Sequence, residues 1–164
     1  MAPGVLVVAA IAAQRLAELA VSRRNTARLL ARGAHEVGRG HYPLFVLLHA
    51  SWLAAVARVA ASGAAVVAAP LAALGMLMAA RLWVMASLGP YWTTRIITLP
   101  GAPLVSRGPY RLCRHPNYCV VAGEIAALPL AFGAWRLALA FSLANALLVA
   151  HRVRVETAAL ADRQ

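Results

Sequence analysis

The chain has 164 residues, 62% hydrophobic and only 13% charged, with a mean hydropathy of +0.71; a soluble domain carries roughly twice that charged fraction. The charge is one-sided: 16 basic side chains, all arginine, stand against 5 acids, for a net +11. Because the arginines sit in short stretches between apolar runs, they read as loops retained on one side of a membrane, which excludes a soluble domain and argues against a nucleic-acid partner.

Five apolar runs approach the roughly 20 residues that cross a bilayer. The first, 3–21, has no positive side chain before Arg15, and Arg15 and Glu18 interrupt its end, so it reads as a span and not as a signal peptide. The second and third are expected over 42–61 and 64–88. The fourth and fifth, 118–132 and 135–150, are short and joined by Gly133-Ala134, which predicts a tight helical hairpin, tilted or only partly crossing. The expected fold is an all-α integral membrane protein, one domain over 1–164, with polar loops over 22–41 and 89–117.

Orientation follows from the arginines. The 22–41 loop holds Arg23, Arg24, Arg28, Arg32 and Arg39, the 89–117 loop holds Arg95, Arg107, Arg111 and Arg114, and the tail holds Arg152, Arg154 and Arg163. The opposite side has Arg58 and Arg136. The positive-inside rule therefore predicts an external N-terminus and a cytosolic C-terminus. Arginine without lysine, together with abundant alanine, suggests a GC-rich bacterial genome and hence the bacterial inner membrane.

Several ionisable residues fall inside the spans: Arg15, Glu18, His49, Arg81 and Glu124. Each lies within about two helical turns of the same end of its span, so together they predict a polar layer beneath the cytosolic surface. Such residues are costly in hydrocarbon and mark function by default. Arg15 with Glu18 also suits a local ion pair, whereas Arg81 with Glu124 would pair between helices. Cys113 and Cys119 flank His115 at the boundary and read as reduced thiols; their spacing lacks the ligands of a zinc site, and no metal is expected.

Beyond the fifth span, Arg152 and Glu156 stand i,i+4 on one helical face. On spacing alone they are either a surface ion pair or part of a site. The motif residues Leu104-Val105-x-x-Gly108-x-Tyr110, then Arg114-His115-Pro116-x-Tyr118, then Arg152-x-x-x-Glu156-x-x-x-Leu160 resemble the isoprenylcysteine carboxyl methyltransferase family. The resemblance covers the larger, C-terminal part of the chain. It implies a five-span membrane enzyme with S-adenosylmethionine as cofactor, S-adenosylhomocysteine as product and a lipidic acceptor from the bilayer. It further implies cofactor contacts from Leu104, Val105, Gly108, Tyr110, Arg114, His115, Pro116 and Tyr118, with Arg152 and Glu156 as the catalytic pair. The acceptor's head group would meet His49, Arg81 and Glu124.

A narrower likeness, carried by Arg24-Asn25, His41-Tyr42-Pro43 and Tyr91-Trp92-Thr93-Thr94-Arg95, is to a bacterial branch that accompanies type III polyketide synthases. That branch O-methylates alkylpyrones or alkylresorcinols. Bacteria mostly lack prenylated protein substrates, so an enol or phenol lipid is the expected acceptor. The chain departs from the family pattern at Ala102, where a His is common, and at Thr157, where a second acid is usual. The alternatives are prenylcysteine carboxyl methylation, phospholipid N-methylation, NADPH-dependent reduction, and a non-enzymatic lipid-binding or transport subunit.

Overall fold

A computed structural model describes residues 3–161; Arg163, counted above in the tail, lies outside them. Helices dominate: α1 Pro3–Ala31, α2 Tyr42–Ala61, α3 Ala68–Leu88, α4 Pro116–Leu130 and α5 Trp135–Ala159. α1, α2 with its leading turn, α3 with its trailing turn, and α5 are each long and apolar enough to cross a membrane. α4 has 15 residues, a rise of about 22 Å, short of the ~30 Å hydrocarbon core. The architecture is that of an all-α integral membrane protein.

α2 has the bounds its apolar run predicts, but α1 and α5 continue well past theirs. The stretch 22–31, expected as loop, is helical as far as Ala31. Arginine is a good helix former, and this extension keeps one buried stripe going: Glu18, Ser22, Asn25 and Leu29 follow each other at three- and four-residue steps. It stops where Gly33 takes φ 88 and the Ala34 amide returns to Leu29 O at 3.1 Å. α5 likewise runs through His151 and Glu156 to Ala159.

The other two helices differ at their starts. α3 begins at Ala68 and not at 64, because Gly63 in the left-handed region ends the preceding turn and Val67 is extended. α4 begins at Pro116, a residue preorganised for the first helical position. α4 and α5 form the expected hairpin, turning at Gly133.

The core lies where α1, α2, α3 and α4 meet, with Trp52, Val56, Leu74, Ile125 and Leu128 fully buried. The Trp52 indole N–H donates to Ile125 O at 3.1 Å, so a large ring is buried without an orphaned donor. Outward-facing Leu139, Leu143 and Leu147 are exposed at one-turn intervals on α5, the surface expected of a helix against lipid tails.

At the arginine-rich end the two connecting segments pair. β1 (His35–Val37) runs antiparallel to β2 (Ile96–Thr98), with Glu36 opposite Ile97. The Glu36 carboxylate meets Arg95 at 3.0 Å and Arg39 at 3.2 Å, and the Arg95 guanidinium lies 4.7 Å over the Tyr42 ring. This short sheet ties the 89–102 segment to the α1–α2 connection.

Candidate functional site

A cavity of about 330 Å³ opens at this end, walled by the C-terminal parts of α1, α3 and α5, the first turn of α4 and the 91–110 segment. That size is within the range of small-molecule sites, roughly 300–1,000 Å³. Its lining combines apolar residues, among them Leu29, Leu99 and Leu104, with Tyr118, Arg152, Glu156, His115 and Thr157.

The polar side centres on one hydroxyl. Arg152 is buried on α5, and its Nε donates to Tyr118 Oη at 2.8 Å while its Nη2 donates to Thr94 O at 2.7 Å. The Tyr118 hydroxyl in turn donates to the Glu156 carboxylate. The Arg152 guanidinium lies 5.1 Å over the Phe45 ring and 5.7 Å over the Tyr118 ring. His115 stacks on Tyr118 with centroids 5.6 Å apart and brings Nδ1 to 3.7 Å from Glu156 Oε2. The i,i+4 pair of α5 is therefore bridged by a tyrosine from α4. A charged donor held on two acceptors has little freedom to turn, which preorganises it for an anionic oxygen.

The segment that supplies Thr94 O is anchored to the α1 extension. Asn25 Nδ2 donates to Trp92 O at 2.8 Å and to Gly89 O at 3.1 Å. The Thr94 amide donates to Ser22 Oγ at 2.8 Å, and the Thr94 hydroxyl lies 2.9 Å from Ser22 Oγ and 3.2 Å from the Tyr42 hydroxyl. Burial pushes the Tyr110 phenol above its ordinary pKa, and the nearby Glu156 carboxylate pushes it the same way, so Tyr110 stays a neutral donor on the cavity wall.

Leu104, Val105, Tyr110, Arg114, His115, Tyr118, Arg152 and Glu156 all line this one cavity. Gly108 and Pro116 are not among its lining residues. Gly108 has φ 58, and a Cβ there would stand 2.2 Å from Ser87 Oγ; it lets the loop lie directly on α3, where Arg107 Nε also donates to Ser87 O at 2.9 Å. Pro116 serves to start α4.

His49, Arg81 and Glu124 also lie outside the lining, in a separate polar layer. Arg81 reaches Glu18 at 2.6 Å and Glu124 at 3.3 Å, and Arg15 reaches Glu18 at 2.9 Å and Glu124 at 2.7 Å. Two cations and two anions from α1, α3 and α4 thus neutralise one another inside the helix bundle. His49 holds Phe45 O at 2.8 Å through Nδ1, one turn along α2 from the ring under Arg152.

Trp92 and Thr94 are not among the residues that the motifs single out for the site, and Asn117 falls only within the His115–Tyr118 stretch. The available signals were a Trp beside two Thr in an otherwise small loop, and a polar residue opening an apolar helix. Among the described residues five buried side-chain polar atoms lack a partner, and two of them, Trp92 Nε1 and Asn117 Oδ1, belong to residues of the cavity wall.

No solved structure matches the chain significantly. The chain is 37% identical over 161 residues to the uncharacterized protein YpbQ of Bacillus subtilis (strain 168), with 96% of each chain covered. The model of the Isoprenylcysteine carboxyl methyltransferase (ICMT) family matches residues 69–162, more than half the chain and the stretch that carries Tyr118, Arg152 and Glu156. The chain therefore belongs to the isoprenylcysteine carboxyl methyltransferase family, a family of membrane methyltransferases.

Proposed function

We propose that this protein is an S-adenosylmethionine-dependent O-methyltransferase of the bacterial inner membrane, working at the cytosolic face on an acidic hydroxyl of a lipid. The observation that carries this reading is the convergence of Arg152 and Glu156 on the Tyr118 hydroxyl, at one wall of a ligand-sized cavity set on membrane helices. The residues present fit a nucleoside-bearing methyl donor: Leu29, Leu99 and Leu104 in the lining suit a base, and Tyr110, Arg114 and His115 suit its polar parts. Leu104–Tyr110 and His115–Tyr118 would hold the donor, which supplies a methyl group on a sulfonium whose leaving group is a neutral thioether.

The chain's own residues then have three tasks. Arg152 holds and orients the acceptor oxygen as a fixed positive charge. Glu156 orients Arg152 through Tyr118 and accepts the proton of an acceptor that arrives neutral; an already ionised enol needs no base. The helices exclude water from the reacting oxygen. The acceptor's tail would lie between helices, and His49, Arg81 and Glu124, which lie outside the cavity lining, are not proposed to touch its head group. An alkylpyrone or alkylresorcinol suits these requirements, and a type III polyketide synthase would be its source. The family's own description favours a prenylcysteine carboxylate as the second reading.

Ligand-induced thermal stabilisation in detergent tests the donor. S-adenosylhomocysteine is expected to raise the unfolding temperature and NADPH to leave it unchanged; stabilisation by NADPH alone would favour a reductase.

A further inference from the structure

The chain's two cysteines, Cys113 and Cys119, take no part in the site described above, and neither lines the cavity. Both are free and exposed, and one thiol lies within hydrogen-bonding reach of the other. Different elements hold them there. Cys119 is on the first turn of α4, a helix packed against α3 and α5. Cys113 lies in the irregular stretch before that helix, with its amide on Pro109 O at 3.2 Å. A cysteine that serves only packing is usually buried, so two exposed thiols in contact point to the chemistry of sulfur.

The chain between them gives that contact its consequence. Residues 114–118 include Arg114, His115 and Tyr118, all three on the cavity lining. His115 stacks on Tyr118 with centroids 5.6 Å apart and stands 3.7 Å from Glu156 Oε2. A disulfide is far shorter than any contact between two thiols, so closing one draws Cys113 and Cys119 together. Packing fixes α4, and the irregular side yields: Cys113 moves, and Arg114 and His115 move with it.

We propose that Cys113 and Cys119 are a reversible redox pair, whose oxidation to an intramolecular disulfide displaces Arg114 and His115 from the cavity wall and weakens binding of the methyl donor. The effect on the donor rests on the proposed methyl-donor reading; the disulfide itself does not. The oxidant is a low-molecular-weight disulfide of the glutathione class. Arg111 and Arg114 are close to Cys113 in sequence, and positive charge favours a thiolate. That thiolate attacks one sulfur of the oxidant, and the other leaves as a thiolate. The Cys119 thiolate then attacks Cys113 Sγ in the mixed disulfide, forming the internal bond and expelling the second small thiolate. The protein gives up two electrons and two protons, and the small disulfide becomes two thiols. Disulfides facing a cytosol are transient and redox-sensing, which suits a bond that excess small thiol reverses by the same steps.

The test counts thiols and measures binding, without turnover. The purified full-length protein in detergent is equilibrated with reduced glutathione or with glutathione disulfide. Because the chain has 2 cysteines, the count is unambiguous. Two free thiols are expected in the reduced protein. None is expected in the oxidised protein, whose intact mass is that of a monomer less two hydrogens, and dithiothreitol is expected to restore both. Cys119→Ser is expected to stop at the mixed disulfide, one glutathione heavier. In calorimetric titration, S-adenosylhomocysteine is expected to bind the oxidised wild type about fivefold more weakly than the reduced. The double variant Cys113→Ser, Cys119→Ser is expected to bind like the reduced wild type in both buffers.

Two thiols persisting in glutathione disulfide would overturn the redox pair, as would two separate glutathione adducts or a disulfide-linked dimer. Equal affinity of the oxidised and reduced wild type, or the same weakening in the double variant, would overturn its coupling to the cavity. Binding of S-adenosylhomocysteine by neither form would overturn the methyl-donor reading, while the thiol count still decides the disulfide.

Discussion

Tyr118 is the residue on which the polar wall turns. Its ring packs on His115 and near the Arg152 guanidinium, and its hydroxyl accepts from the one side chain of α5 and donates to the other. Without that hydroxyl Arg152 keeps Thr94 O but loses its second acceptor, so Tyr118→Phe is expected to lower the methyl-transfer rate about tenfold while S-adenosylhomocysteine still stabilises the protein. Arg152→Ala and Glu156→Ala are each expected to lower transfer by about tenfold or more with folding in detergent intact; near-normal turnover of both would remove them as catalytic groups. Tyr110 gives a pH test. Its pKa is raised in the folded protein, so its contribution to stability is complete below the unfolded value near ~10 and is lost as pH rises toward the folded one. Thermal unfolding of Tyr110→Phe should therefore fall less steeply with pH above about 10 than that of the wild type.

At the scale of elements, the extension of α1 is what turns a loop into a wall. Asn25 spends its amide on two carbonyls of the 89–92 turn, and Ser22 holds Thr94. Removing the Asn25 side chain takes its donor from the Trp92 carbonyl and leaves Gly89 O with the Trp92 amide alone, so Asn25→Ala is expected to cost about 1–3 kcal/mol in thermal unfolding and to weaken binding of S-adenosylhomocysteine. Gly108→Ala should also destabilise, since its Cβ would meet Ser87 and its backbone lies in the left-handed region. Much of this was legible in the sequence in kind but not in extent. Apolar runs set the helices inside the bilayer, because hydropathy is the signal a membrane imposes. They are silent on how far a helix continues into water, where Arg23 and Arg28 read equally well as loop or helix surface. The stripe Glu18–Ser22–Asn25–Leu29 is the signal that resolves it, and all of it but Leu29 is polar, so an apolar-pattern reading passes over it. The β1–β2 pairing carries no length or alternation that three-residue strands would display.

For the whole molecule, the family match begins at residue 69, yet the site depends on the helices before it. Phe45 of α2 lies under Arg152, α1 buttresses Thr94, and the ion layer takes Arg15 and Glu18 from α1. That layer was legible as a depth: ionisable residues near one end of several spans have to meet. Which acid pairs with which arginine depends on helix rotation, which the sequence leaves open. Breaking the layer exposes its cost: Arg81→Met leaves the Glu18 and Glu124 carboxylates to share Arg15 alone, one buried negative charge uncompensated, and is expected to destabilise by about 3–5 kcal/mol in detergent unfolding. Adding Glu18→Gln should restore part of that loss. Methyl transfer itself is tested most directly by incubating membranes that contain the protein with methyl-labelled S-adenosylmethionine and a panel of alkylpyrones, alkylresorcinols and prenylcysteines. Label is expected on the oxygen of one lipid class, with S-adenosylhomocysteine released and the Arg152→Ala membranes silent. No labelled lipid from the wild-type membranes, or equal labelling by Arg152→Ala, would contradict the proposed reaction.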